Sequence, residues 1–344
     1  MNSIHPFQIQ FSHERLYLKH TWTISRSSSD YRENVIVKLE KDGITGLGEC
    51  AHNPRYGESL QSCLNAIDTI YRQINHMDLW HYHQIGEIIQ SSLEGQTSAK
   101  AGMEMAILDW VTKSLEIPLY QFLGLNPYRT PLTSLSIGID APEKIREKVK
   151  EAEVFPILKV KVGHDNEQEI INSVRSVTDK LLRVDVNEGW TNKEIALRKI
   201  EWLAQNNVEF IEQPLPAHMV EETAWLKARS AIPIFADEAV ISARDIPGIA
   251  EAYDGINIKL MKSGGIQEAL RMIAVARTFG LEIMLGCMIE TSIAITAAAH
   301  LSPLADYADL DGHLLLADDP YQGVRVMAGK LILPNQPGLG VIKR

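Results

Sequence analysis

The stretch "ILKVKVG" (residues 157–163) sets two lysines into an otherwise apolar run that reads as a buried β-strand. Lys159 and Lys161 are two residues apart, so on a strand both project to one side, about 6–7 Å from each other. Buried lysines are uncommon and a close pair repels, so packing alone is a poor reason for them. Further along, Asp185 in "RVDVNEGW", Glu212 in "FIEQPLP" and Asp237 in "FADEA" follow at intervals of 27 and 25 residues. Three converging carboxylates require a cation between them. An all-oxygen set without His or Cys points to a hard ion, Mg²⁺, with positions left open for water or substrate. Asn187 and Glu238 fall beside that set as peripheral ligands. Lys259 in "NIKLM" supplies a third lysine. A neutral lysine is a competent base, and a nearby metal and ammonium both lower its pKa. Lys161 and Lys259 on opposite faces of a substrate could remove and return the proton alpha to a carboxylate. Lys159 would then steady the developing enediolate. The stereocentre inverts.

These residues need elements that bring them together. From residue 133 onward, short β-like segments recur: 133–139, 157–163, 182–188, 208–214, 232–239, 255–261, 281–288 and 306–312. Most gaps carry helix-like sequence such as "NKEIALRKIEWLAQNN". Eight strand-plus-helix units at a near-constant repeat predict an α/β fold, a (β/α)₈ TIM-like barrel. In such a barrel the chemistry gathers at the C-terminal ends of the strands, where all these charges fall. Strand six then lies opposite strand two, so Lys161 and Lys259 face each other across the mouth. Lys262 competes with Lys259, but alternation assigns it to the opposite face and the following loop.

The first fifty residues predict antiparallel strands, "FQIQFSHERLYLKH" and "ENVIVKLEKDGITGLGEC", with "KDG" as a hairpin turn and the polar loop "ISRSSSDYREN" between them. A helical region follows over 59–123, and "SAKAGMEMAILDWVTKSLE" has the spacing of an amphipathic helix. The Gly/Pro-rich "GLNPYRTP" marks a boundary. The expected organisation is an α+β capping domain over 1–125 and the barrel over 126–319, with a tail, 320–344, returning to the capping domain.

Of the 344 residues, 45% are hydrophobic and 23% charged, ordinary values for a globular protein. A net charge of −10 excludes a phosphate-binding basic face, so no nucleic-acid partner is expected. The basic residues of "REKVKEAE" alternate with glutamates as on a solvated helix. Cys50, Cys63 and Cys287 form no CxxC and leave an odd count, as in a reducing compartment. "MNSIHPFQIQF" lacks the pattern of a signal peptide, and no apolar run approaches the ~20 residues of a membrane span. A soluble, cytoplasmic protein is expected. The single HxH, His81-Tyr82-His83, falls in the helical N-terminal region and reads as surface or packing, which disfavours zinc.

The motifs KVK (159–161), DVN (185–187), EQP (212–214), DE (237–238) and NIK (257–259), with "GLGECAHNPRYGES" in the capping domain, resemble the enolase superfamily, muconate-lactonizing-enzyme subgroup. The resemblance covers essentially the whole chain. It implies Asp185, Glu212 and Asp237 as Mg²⁺ ligands, Lys161 and Lys259 as the acid/base pair, and Lys159 as an electrostatic helper. The subgroup includes cycloisomerases, o-succinylbenzoate synthases, N-acylamino-acid racemases and dipeptide epimerases, so the substrate must be read elsewhere. Asp309-Leu310-Asp311 puts two carboxylates on one face of strand eight, where neither is needed for metal or proton transfer. A dipeptide α-ammonium is the obvious partner, and the motif is similar to that of L-Ala-D/L-Glu-type dipeptide epimerases. The competing reading has both aspartates capping the next segment. Arg26, on the loop 24–34 taken as a lid, is a candidate partner for a substrate side-chain carboxylate, with Lys19 and Arg32 as rivals. Ser136, sharing a face with Ser134, is a candidate substrate contact, and Cys287 and Met288 are expected to line the pocket. The expectation is an isomerase inverting the C-terminal residue of a dipeptide, with the barrel able to form homo-oligomers. An N-acylamino-acid racemase, o-succinylbenzoate synthase or cycloisomerase is the alternative.

Overall fold

A computed structural model describes residues 6–163 and 165–344. The first five residues, part of the stretch read for a signal peptide, lie outside the described residues. Strands β1 (Gln8–Ile24), β2 (Ser27–Lys41) and β3 (Ile44–Cys50) form an antiparallel sheet in sequence order. The expected polar loop over 24–34 is instead strand on both sides, with only Ser25 and Arg26 between β1 and β2. Serines and charges do not oppose a strand there, because cross-strand pairs from Trp22–Ser29 to Ile24–Ser27 supply the ladder. A register shift between Tyr17 and Trp22 on β1 marks an irregularity where this tip leaves the rest of the sheet.

Helices α1 (Leu60–Ile74), α2 (Tyr82–Ser91) and α3 (Thr97–Ser114) follow the sheet. The amphipathic reading of α3 fails: every residue from Ser98 to Thr112 is buried. One face, with Ala101, Met105 and Leu108, joins the barrel core, while Met103, Ile107 and Trp110 join the core under the sheet. Its polar residues are buried with partners. Lys100 donates to the carbonyls of Gln90 and Leu93 (2.9 and 2.6 Å), and Glu104 accepts from the Gln267 backbone N–H (3.1 Å). The backbone of β3 lies almost directly on α3. A Cβ at Gly48 would stand 1.9 Å from the Gly102 carbonyl oxygen, so only glycine fits.

Eight parallel strands follow: β4 (Leu135–Ile137), β5 (Ile157–Lys161), β6 (Leu181–Asp185), β7 (Val208–Glu212), β8 (Ile234–Ala236), β9 (Gly255–Lys259), β10 (Glu282–Gly286) and β11 (Tyr307–Asp309). They pair in sequence order, and a parallel bridge between Thr133 and Ala308 closes the ring as a TIM-like barrel. A layer of Phe210, Phe235, Met284 and Tyr307 plugs the interior, with the Arg183 guanidinium 5.3 and 5.2 Å from the Phe210 and Tyr307 rings. Two residues further along, at the ends of β6, β7 and β11 and just past the end of β8, stand Asp185, Glu212, Asp309 and Asp237. The apolar plug therefore floors the polar site.

The chain after β11 adds two short antiparallel pairs and returns to α3. Asp109, fully buried on α3, accepts from Leu339 N–H (2.7 Å) of this tail, from Leu47 N–H (2.8 Å) of β3 and from Lys113 Nζ (2.6 Å). No helix among the described residues is long and apolar enough to cross a membrane. Asp109→Ala should lower unfolding stability by about 2 kcal/mol, since it strands the buried Leu339 N–H and removes an acceptor from the part-buried Leu47 N–H and Lys113 ammonium. A fall in the urea midpoint at unchanged slope would register it.

Candidate active site

β5 carries Lys159 and Lys161, β6 Asp185, β7 Glu212, and β9 Lys259; Asp237 follows β8 directly. Carboxylate oxygens of Asp185, Glu212 and Asp237 lie within 4.8 Å of one another, and all three residues are buried. Lysine ammoniums surround them. Lys161 Nζ donates to Asp185 Oδ2 (2.5 Å), and Lys259 Nζ to Asp237 Oδ2 (2.6 Å). Lys159 Nζ reaches Glu212 Oε2 (2.6 Å), Asp309 Oδ2 (2.7 Å) and Asp185 Oδ2 (3.1 Å).

Lys262 corrects the sequence reading. It occupies a short helical turn, Leu260–Ser263, and is fully buried rather than in a loop. Its Nζ donates to Asp237 Oδ1 (2.7 Å), to the Asp237 carbonyl and to the Asn257 carbonyl. Alternation fails because the strand ends at Lys259 and the helical turn swings residue 262 back toward Asp237. Lys262 is absent from the cavity lining, so it steadies Asp237 from behind while Lys259 keeps the cavity side.

The electrostatics follow from this pairing. Burial alone would raise Asp237, but Lys259 and Lys262 hold it well below the usual carboxylate range. Lys161 and Lys159 likewise outweigh burial and depress Asp185. Glu212 goes the other way, pushed up to about 7 by burial and the neighbouring Asp185. Burial would lower Lys259, yet Asp237 and Glu212 raise it above the ordinary ammonium range. Lys159 is raised too, against its own burial, by Asp309, Glu212 and Asp185.

The donor set fits a hard divalent cation. Besides the three carboxylates, the buried acceptors Asn187 Oδ1, Glu238 Oε2 and Asn257 Oδ1 have no hydrogen-bond donor. Two supporting residues are hard to see in sequence. Asn257 Nδ2 donates to Glu212 Oε1 (2.8 Å), from a position two residues before Lys259 and on the same face of β9. Gln213 Oε1 accepts from the backbone N–H groups of Asp237 (2.9 Å) and Ala239 (3.1 Å), fixing the turn that presents Asp237. Nothing in the bare sequence marks that role.

A cavity of about 560 Å³ lies over the cluster, lined among others by Lys159, Lys161, Lys259, Asn187, Ser136, Cys287, Met288, Asp309 and Asp311. Asp309 Oδ1 accepts from Ser134 Oγ (2.8 Å), while Asp311 Oδ2 accepts from the Ser136 N–H (2.6 Å). Neither aspartate caps the following turn: Asp311 stands at its start without a side-chain cap bond. Cys287 Sγ donates to the Asp309 carbonyl (3.2 Å), and burial raises its thiol pKa well above the usual value. Asn53 Nδ2 contacts Met288 Sδ (3.5 Å).

Arg26, at the hairpin tip, lines the cavity but is committed to protein acids. Its Nη2 donates to Glu238 Oε1 (2.7 Å), its Nη1 donates to the Asn187 carbonyl (3.2 Å) and lies 3.7 Å from Glu188. The tip is therefore latched to β6 and β8 ends, and Arg26 is not a free partner for a substrate carboxylate. Lys19 lines a separate cavity, with His20 and Thr21. Arg32 lines the main one. His81 and His83 sit on helical segments outside both.

Residues 8–124 match the mandelate racemase / muconate lactonizing enzyme N-terminal domain, and residues 142–342 the enolase C-terminal domain-like family. The chain belongs to the enolase superfamily and is an isomerase of the racemase and epimerase kind. It is 41% identical over 329 residues to an L-Ala-D/L-Glu epimerase of Bacteroides thetaiotaomicron, covering 95% of this chain and 86% of that protein. It is 44% identical to an L-Ala-D/L-amino acid epimerase of Pedosphaera parvula, covering 96% and 97%. A dipeptide epimerase of Enterococcus faecalis, solved with Mg and L-Leu-L-Tyr, superposes with a TM-score of 0.91 at 32% identity, covering 98% and 99%.

Asn257→Leu should weaken Mg²⁺ binding by about 10–100-fold, because Glu212 loses the donor that orients it. Calorimetric Mg²⁺ titration measures this directly; an unchanged affinity would remove Asn257 from the site.

Proposed function

We propose that this enzyme inverts the α-carbon of the C-terminal residue of a dipeptide, using Lys161 and Lys259 as the two bases. The observation that carries the reading is the placement of both lysines on one cavity, with separate aspartate partners on either side of Glu212. Asp185, Glu212 and Asp237 would hold Mg²⁺, and the bound ion would supply positive charge beside the substrate carboxylate. With the carboxylates so occupied, a lysine released from its aspartate can deprotonate and act as a base. One lysine takes the α-proton from its face, leaving a planar carbanion delocalised into the carboxylate. The other delivers a proton to the opposite face. Lys159, held by three acids and 1% exposed, stays charged and steadies the growing negative charge.

The α-ammonium falls to Asp309 and Asp311. Asp309 is already paired with Lys159, so Asp311, whose carboxylate meets only the neutral donors of Ser136, has the larger unmet charge. Burial and Asp309 push its pKa up to about 7. Below that pH it is protonated and cannot pair with an ammonium.

Three outcomes are expected. Lys161→Ala and Lys259→Ala should each reduce epimerisation by about 10³-fold or more, while each variant still exchanges the α-proton of one epimer with D₂O, read by mass shift. Full turnover in either variant would show the bases to be misassigned. The apparent KM for L-Ala-L-Xaa dipeptides should rise as pH falls through about 7. Asp311→Asn should remove that dependence and leave KM high at every pH. Chelation should abolish turnover and Mg²⁺ should restore it.

A further inference from the structure

Each of the three clustered acids divides its two carboxylate oxygens between a lysine of the cavity and a supporting group. Asp185 meets Lys161 and Lys159 through Oδ2 and accepts the Asn187 backbone N–H at Oδ1 (3.0 Å). Glu212 faces Lys159 through Oε2 and accepts the Asn257 amide at Oε1 (2.8 Å). Asp237 meets Lys259 through Oδ2, but the group on its Oδ1 is a second ammonium, that of Lys262 (2.7 Å). Of these three supports only Lys262 carries charge.

Lys262 Nζ has three acceptors: Asp237 Oδ1, the Asp237 carbonyl and the Asn257 carbonyl (3.0 Å). Three acceptors match the three N–H donors of an ammonium. The side chain is fully buried, so water does not compete for these bonds. Asn257, whose carbonyl it holds, is also the residue whose amide orients Glu212. One buried cation thus bears on two of the three acids.

The turn that carries Lys262 is gripped from the capping helices. Gln90 Nε2 of α2 donates to the Gly264 carbonyl (2.7 Å), and Glu104 of α3 accepts from the Gln267 N–H (3.1 Å) just beyond the turn. Lys100 of α3 fixes Gln90 through its carbonyl (2.9 Å). None of these residues lines the cavity.

We propose that Lys262 is a positioning residue for the Lys259 half of the reaction, a fixed counter-charge that keeps Asp237 in place when Lys259 lets go of it, aimed by a turn that α2 and α3 hold. The proposal rests on the reading of Lys161 and Lys259 as the two bases. Lys259 can reach substrate only by leaving Asp237 Oδ2. An aspartate stripped of its cation in a dry site would draw the lysine back, and Lys262 supplies a cation from the side away from the cavity. The other half has the same device, because Lys159 stays on Asp185 Oδ2 (3.1 Å) when Lys161 departs. Each base therefore shares its aspartate with a cation that remains behind.

The test reads the initial exchange of the α-proton with D₂O, by mass shift, separately for L-Ala-L-Glu and L-Ala-D-Glu at saturating Mg²⁺. Lys161→Ala and Lys259→Ala identify which epimer each base serves. Lys262→Met should lose exchange of the epimer served by Lys259 about tenfold more than exchange of the other. Calorimetric titration should show its Mg²⁺ binding weakened by roughly tenfold or more. Gln90→Ala, remote from the cavity, should move the exchange ratio the same way by about twofold, and it decides alone if Lys262→Met does not fold. Equal loss for both epimers, or an unchanged ratio, overturns the role of Lys262. If Lys161→Ala and Lys259→Ala each exchange both epimers, the two-base reading falls instead. Weakened Mg²⁺ binding in Lys262→Met would then still mark it as a support of Asp237, and unchanged binding would remove that role as well.

Discussion

Like charges crowded at the mouth of a dry barrel are the constraint on which the molecule turns. Three carboxylates within 4.8 Å of one another are unfavourable on their own, and the barrel closes around them only because opposite charge is supplied on every side. Lys159 and Lys161 come from one neighbouring strand and Lys259 from the other side. Lys262 braces Asp237 from outside the cavity and Arg26 covers Glu238. The same balance that makes the cluster tolerable also leaves it responsive. A bound divalent cation would compete with the lysine ammoniums for the same oxygens and so would loosen the hold of the carboxylates on Lys161 and Lys259.

That balance depends on the tight layers below and behind it. The aromatic plug of Phe210, Phe235 and Tyr307 removes water from the floor of the barrel, strengthening every charge interaction above it. Asn257, one register below Lys259, fits because Gly286 on the adjacent strand has no Cβ, which would otherwise stand 2.4 Å from Asn257 Oδ1. Behind the barrel, α3 is gripped by β3 on one side and the C-terminal tail on the other through Asp109. The capping sheet is thereby tied to the chain that follows the last barrel strand.

Much of this is legible in the amino-acid sequence. The recurrence of charge at the same point of successive β-like segments carries the barrel, the acidic trio and the lysine pair together, because strand periodicity and barrel topology leave few other arrangements. The misread parts share a cause, namely that local pattern was outvoted by tertiary partners. The serine-rich segment 24–34 lacks strand propensity but gains a cross-strand ladder. Helix α3 carries the spacing of a surface helix, yet its Lys100, Glu104 and Asp109 find partners on other elements, so burial costs them little. Lys262 was placed by alternation past the point where the strand had ended. Arg26 reads in the sequence as a guanidinium on a loop over the barrel mouth, and only the fold reveals that Glu238 and Glu188 pair with it.

The pairing of Arg26 and Arg55 shows how the two halves divide the work. Barrel residues meet one another at strand ends, where register sets their distances and therefore the chemistry. Residues of the capping segment reach the cavity from a hairpin and a loop, so what each can recognise depends on whether the barrel has neutralised it. Arg26 and Arg55 are spent on Glu238 and Glu188, latching the cap to the ends of β6 and β8. Arg32, also on the cavity wall, donates to the Tyr31 carbonyl of its own strand and makes no such tie to the barrel among the described residues.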